Sequence, residues 1–224
     1  MYYTDLLYII IITLLFASAQ FAVNSAYSKY SRIRTNCDKT GYDLVEDIKY
    51  QKNLSHINVY KVPGHLNDHY DPRDKSVALS ASNYGTATIA GIAVAAHEMG
   101  HAIQDAEGYG FLRFRQAIAK SSIIASNISW IFIYLGFIIW SMPVLIIGIA
   151  LFSLVVLFEL VTLPVELNAS KRAMAYLTST GNYSDEELKG ARKVLNAAAF
   201  TYVAAAMAGA LQLLRLLGSL RRSD

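Results

Sequence analysis

Hydrophobic positions in this chain gather into four long blocks, at residues 6–23, 123–140, 144–163 and 194–217, with mixed polar stretches between them. Each of the first three is long enough, at about 1.5 Å per residue, to cross a hydrocarbon layer about 30 Å thick. Only Ser141, Met142 and Pro143 separate the second block from the third, which predicts a tight helical hairpin. The first block ends near Ala17-Ser18-Ala19, which resembles a cleavage site, but Met1 to Asp5 contains no Lys or Arg. Without that basic segment it reads as a retained anchor helix rather than a signal peptide. The fourth block carries Gln212 and Arg215 and either spans or packs against the other helices.

Between the first two blocks the pattern is that of a water-facing domain. Residues 40–48 predict a short amphipathic helix, and Ile57, Val59 and Tyr60 a brief strand ended by Val62-Pro63-Gly64-His65. Asp71-Pro72-Arg73-Asp74 is turn chemistry, and Ser76 to Ser80 alternates at period two, as a half-buried or edge strand does; it is either an edge open to an extended peptide or an interior strand. Residues 83–88 read as a loop leading to Thr88, a helix N-cap. An Ala-rich helix then runs over 89–106, stopped by Gly108 and Gly110. Beyond the hairpin, Pro164 predicts a break and a new helix over 166–176. Gly181 and Asn182 make a turn, and Ser184-Asp185-Glu186-Glu187 opens a further helix.

Composition supports a membrane protein: of 224 residues, 54% are hydrophobic and only 17% charged. The 20 Lys and Arg against 17 Asp and Glu form no basic run with interleaved aromatics, so no nucleic-acid partner is expected. The single cysteine, Cys37, excludes an internal disulfide and a cysteine-built metal cluster.

Chemistry concentrates in His97-Glu98-Met99-Gly100-His101, an H-E-x-x-H pattern inside the predicted helix 89–106. At about 100° per residue the two histidines lie about 40° apart on one face and one turn apart, so both rings can reach one ion. Glu98 points about 60° from His101, outside that pair but able to reach a water there as general base. Chance yields such a pentamer in on the order of one in a few hundred chains. Small residues around it (Ala93, Ala95, Ala96, Gly100, Ala102) favour a packed site over coincidence.

Catalytic zinc takes three protein ligands and keeps one position open. Glu107 fails as the third, since a turn back toward the ion would need glycine where Gln104 stands. Glu159, deep in an apolar block, is an alternative, because ionisable residues at such depth are functional candidates; it would equally snorkel to the interface. Glu166 ranks first. A hairpin of two crossings returns it to the side of the membrane that holds His97, although a first-turn glutamate also complements a helix dipole. His/His/Glu favours zinc among divalent ions, one per chain. His65 and His69 precede the strand and are candidates for substrate contact, while Arg172 is expected to pair with a carboxylate.

The chain also resembles a known family. Asp68-His69-Tyr70-Asp71-Pro72, the run from Ala93 to Gln104, Leu160-Val161-Thr162-Leu163-Pro164-Val165-Glu166 and Val194-Leu195-Asn196-Ala197-Ala198-Ala199 are similar to the bacterial membrane neutral zinc metallopeptidases of the YugP type. The similarity covers nearly the whole chain. The layout is similar to the heat-shock and CAAX-processing membrane peptidases as well, where a transmembrane hairpin separates H-E-x-x-H from E-x-x-A-D. Glu166 and Ala169 match that second motif, which implies Glu166 as third ligand. Ser170 stands where those enzymes have the aspartate that orients a ligating histidine, and Asn168 or Asp105 are the substitutes at hand.

The expected fold is mainly α and integral to the membrane. Three to four apolar helices accompany a small α+β, zincin-like catalytic domain with H-E-x-x-H on a helix and a short substrate-edge sheet. The expected divisions are an anchor at 1–23, a catalytic domain at 24–121, a hairpin at 122–164, a third-ligand helix at 165–193 and a C-terminal apolar helix at 194–224. Lys29, Arg32, Arg34, Lys39, Arg113, Arg115, Lys120, Lys171 and Arg172 fall on the side of the site, which the positive-inside rule places in the cytoplasm. Arg221 and Arg222 oppose this if the last block spans. The expected function is hydrolysis of peptide bonds in proteins or peptides at a bacterial plasma membrane. The competing classes are a non-catalytic zinc-binding scaffold or inactive relative, which has no use for Glu98, and a transporter, which would want ionisable residues in several spans.

Overall fold

The computed structural model describes residues 2–220. The chain is mainly helical, with one three-stranded sheet. In order it comprises α1 (Tyr2–Tyr30), α2 (Gly41–Gln51), β1 (Asn58–Val62), β2 (His69–Asp71), β3 (Ser76–Ser80), α3 (Ala81–Tyr84), α4 (Ile89–Ala106), α5 (Gly110–Ile138), α6 (Met142–Ser179) and α7 (Asp185–Leu220). Among the described residues, four helices are long and apolar enough to cross a membrane: Leu6–Tyr30, Gly110–Ile138, Met142–Ser179 and Asp185–Leu220.

Two compact units emerge. One comprises residues 1–16, 110–164 and 202–224; the other comprises 17–109 and 165–201. In the first unit, α5 and the first half of α6 pack as a hairpin around Ile133, Leu145, Ile149, Phe152 and Val156. Two glycines let the backbones meet: a Cβ on Gly136 would lie 2.7 Å from Leu145 N, and one on Gly148 would lie 2.7 Å from Ile133 N. Close approach at small residues is how helices associate where no hydrophobic gain separates protein from lipid.

The second unit holds the sheet, α2, α3 and α4, with a core built on Leu44, Ile48, Ile57, Val77, Leu79, Ile92, Met99 and Leu177. Helix α2 starts at a capping box between Thr40 and Asp43. Thr88 caps α4, its hydroxyl accepting from Gly91 N at 3.2 Å, and Gly108 beyond the helix end adopts φ +66°.

Of the two readings of Ser76 to Ser80, edge or interior, the interior one holds: β3 is the central strand of the order β1-β3-β2, parallel to β1 and antiparallel to β2, and every residue in it is buried. Its alternating serines tolerate burial because Ser76 Oγ donates to Asp74 at 2.6 Å and Ser80 Oγ to Asp68 at 2.8 Å. A substrate-edge role therefore cannot belong to β3; the outer strands are β1 and β2. Residues 69–71, for which no strand is expected, form β2, and residues 81–84, which overlap the expected loop at 83–88, form the short helix α3. Pro164 does not end a helix but lies inside α6, with Val165 and Ala169 beyond it fully buried. The missing N–H costs one bond, and the chain stays helical on both sides of it.

Candidate metal centre

The site is assembled within the second unit from α4 and the C-terminal half of α6. His97, Glu98 and His101 project from α4 one turn apart, as their spacing requires. Glu166 comes from α6, which is 38 residues long, or about 57 Å, nearly twice the hydrocarbon thickness. Glu166 lies 24 residues after the start of α6, just past Pro164.

One contact sets the distance between the two helices. A Cβ on Gly100 would lie 2.6 Å from Ala169 O, so only glycine lets α4 rest on the α6 backbone between the two histidines. Ala169 is itself fully buried. This crossing brings His97 Nε2 to 3.2 Å and His101 Nε2 to 3.5 Å from the same carboxylate oxygen, Glu166 Oε2. The two rings stand edge to face at 4.8 Å. One ligand atom from each of the three residues lies within 4.8 Å of the others.

The donor set and its spacing fit zinc. Donors about 2.0–2.1 Å from a tetrahedral ion lie about 3.3 Å from one another, close to the two nitrogen–oxygen separations observed. Two imidazoles and one carboxylate are a ligand set that zinc accepts. Glu166 and His101 are buried, whereas His97 keeps 15% of its side chain exposed.

Glu98 is buried beside this group and engages no hydrogen bond with another described residue. Burial pushes its carboxyl above the ordinary range, a push that Glu166 and Asp68 reinforce and that the two histidines oppose. Burial also works against a charged His101, but the adjoining Glu166 carboxylate outweighs it and raises the ring. A buried carboxyl with elevated proton affinity, set against a histidine pair, suits a general base.

The remaining residues singled out from the sequence are placed as follows. Ser170 Oγ sits 3.1 Å from His97 Nδ1, in the position expected of an orienting partner. Glu159 is not in the cluster. Its carboxylate lies in the other unit, filling the space a Cβ on Gly209 would take, with Oε2 buried and without a hydrogen-bond partner. Glu107 caps the end of α4 and pairs with Arg172 at 2.7 Å. His69 is exposed at the start of β2, its ring 2.8 Å from Asn67 O, and His65 is exposed in the preceding loop. Asp105 does not orient a ligand, because Tyr70 and Lys75 both hold it at 2.6 Å. The residue facing the second histidine is Gln104, whose Oε1 is 3.0 Å from His101 Nδ1. The sequence showed it only as a missing glycine; its i+3 spacing from His101 on one helix face was the available signal. Asp68 also emerges, tying the loop before β2 to Ser80 N at 2.7 Å and Asn83 Nδ2 at 2.9 Å.

Residues 5–221 match the family described as "Putative neutral zinc metallopeptidase". The chain belongs to this family. Among its relatives is the "Putative membrane protease YugP" of Bacillus subtilis (strain 168), 42% identical over 197 residues, which cover 88% of each chain. No solved structure matches the chain. As a member of this family carrying four apolar helices, the protein is a mainly helical membrane protein.

Proposed function

We propose that the chain is a membrane-embedded zinc endopeptidase that hydrolyses peptide bonds of proteins or peptides. His97, His101 and Glu166 hold a single zinc ion, and Glu98 is the general base. The observation that carries the reading is the convergence of both histidine Nε2 atoms on one Glu166 oxygen at 3.2 and 3.5 Å, with Glu98 buried alongside. When bound, zinc supplies Lewis-acid polarisation of a carbonyl and acidifies water. Glu98 takes a proton from the attacking water and returns it to the departing amine. In this reading Ser170 orients His97 through Nδ1, and His69, exposed at the start of β2, is a candidate substrate contact. Glu159, outside the cluster, is assigned to helix packing against Gly209 rather than to the metal.

In this reading residues 24–121 and 165–193 build the catalytic part. Residues 1–23 anchor it, 122–164 form the transmembrane hairpin, and 194–224 supply the last apolar helix, which crosses. The nine Lys and Arg on the site's side outweigh Arg221 and Arg222, which a crossing last helix carries to the other, and support a cytoplasmic active site in a plasma membrane; Arg221 and Arg222 lie outside the described residues.

The test compares wild type, Glu98→Gln and Glu166→Ala as detergent-solubilised full-length protein, measuring zinc per chain and cleavage of casein or an unfolded membrane substrate. Glu98→Gln is expected to retain zinc and lose about 10²–10⁴-fold in rate; Glu166→Ala is expected to lose zinc. Undiminished cleavage by Glu98→Gln refutes the mechanism, and equal zinc in Glu166→Ala reassigns the third ligand.

A further inference from the structure

Gln104 is completely buried, at 0% exposure, three residues beyond His101 on α4. Its side chain makes three hydrogen bonds: Oε1 with His101 Nδ1 at 3.0 Å, Nε2 to Val165 O at 2.8 Å, and Nε2 to Asn168 Oδ1 at 2.9 Å. The polarity of this set is determined from two sides. Val165 O is a carbonyl and can only accept, so the Gln104 atom facing it is the amide nitrogen. Arg172 Nε can only donate, and it does so to Asn168 Oδ1 at 2.7 Å. Asn168 therefore turns its oxygen toward Gln104, which again requires the amide nitrogen there. Arg172 is itself anchored by Glu107 at 2.7 Å.

Only the amide oxygen of Gln104 is left for His101, so His101 carries its proton on Nδ1. Its Nε2 then bears the lone pair and faces Glu166. His97 is held differently, because the Ser170 hydroxyl at 3.1 Å can donate or accept and suits either tautomer.

We propose that Gln104 is a positioning residue that locks His101 in the tautomer able to bind a metal through Nε2. The same amide holds the α6 backbone at Val165, the residue before Glu166, so one side chain governs two members of the cluster. The proposal rests on His101 and Glu166 being zinc ligands.

The experiment measures zinc affinity of the full-length chain in detergent by competition with a chromophoric chelator, for wild type, Gln104→Leu and Gln104→Glu. Loss of an outer partner of a ligating histidine weakens metal binding about 10–100-fold, and that loss is expected for Gln104→Leu. Gln104→Glu keeps an acceptor for Nδ1–H but cannot donate to Val165 O. Recovery of most of the affinity by Gln104→Glu supports the tautomer role; equal weakening in both variants overturns it and leaves only a clamp on α6. Ring-nitrogen chemical shifts of zinc-loaded wild type read the same point without a variant. A protonated Nδ1 and a metal-bound Nε2 on His101 are expected, and coordination through Nδ1 overturns the proposal. Zinc uptake that survives His101→Ala would remove the ligand assignment beneath it, and the inference would fall with that assignment rather than through Gln104.

Discussion

Gly100 shows how one missing side chain sets the chemistry of a site. The two histidines depend on helix spacing alone, but their meeting with Glu166 depends on α4 resting against Ala169 O. A methyl at position 100 would sit 2.6 Å from that oxygen, too close for any relaxed packing, and backbone has no rotamer with which to yield. Gly100→Ala is expected to push α6 away from α4, lower stability by about 1–3 kcal/mol and weaken zinc binding while leaving all three ligands in the sequence. Zinc titration alongside thermal unfolding checks this; unchanged affinity would mean that the crossing does not set ligand spacing.

At the scale of elements, the start of α7 is the clearest case of local sequence choosing local structure. Ser184 N donates to Glu187 Oε2 at 2.7 Å and Glu187 N to Ser184 Oγ at 3.3 Å, a reciprocal cap legible in Ser184-Asp185-Glu186-Glu187. What the pattern did not reveal is that Glu187, 5% exposed, also accepts from Asn36 N at 2.6 Å, tying the chain after α1 to α7. Ser184→Ala is expected to cost about 1 kcal/mol. Glu187→Ala, which releases two N–H donors from charge-assisted bonds, is expected to cost about 2 kcal/mol or more. Chemical unfolding of both variants in detergent measures the difference, and equal losses would show the Asn36 contact to be without weight. Helices α2 and α4 were legible from caps and periodicity in the same way. β2, α3 and the helical path of α6 through Pro164 were not: β2 is three residues long and exists through its pairing with β3, α3 is a single turn whose Asn83 is held by Asp68, and α6 continues where Val165 beyond the proline is fully buried.

For the whole molecule, the proposed four-crossing arrangement puts the turn between α5 and α6 on the face of the membrane opposite the site. Cys37 is the single cysteine of the chain, and Trp140 in that turn is 94% exposed. With the site in the cytoplasm, an impermeant maleimide applied to intact cells is expected to spare Cys37. The same reagent is expected to label a Cys37→Ser, Trp140→Cys variant. The reverse pattern would invert the orientation drawn from the distribution of Lys and Arg.

Block hydrophobicity, the H-E-x-x-H spacing and the caps are short-range properties, so the sequence by itself determined the helical membrane character, the histidine pair on one helix face and the candidate general base beside it. Glu166 was reachable from the sequence through chain topology and a resembling motif, since a hairpin of two crossings must return to its starting side. Tertiary structure alone decided the rest: that Gly100 and Ala169 touch, that Gln104 rather than Asp105 faces His101, and that β3 is interior. The Gly100–Ala169 contact and the bonds from Gln104 to Val165 and Asn168 join residues 60 or more positions apart, and in this chain neither local propensity nor periodicity encodes such a distance.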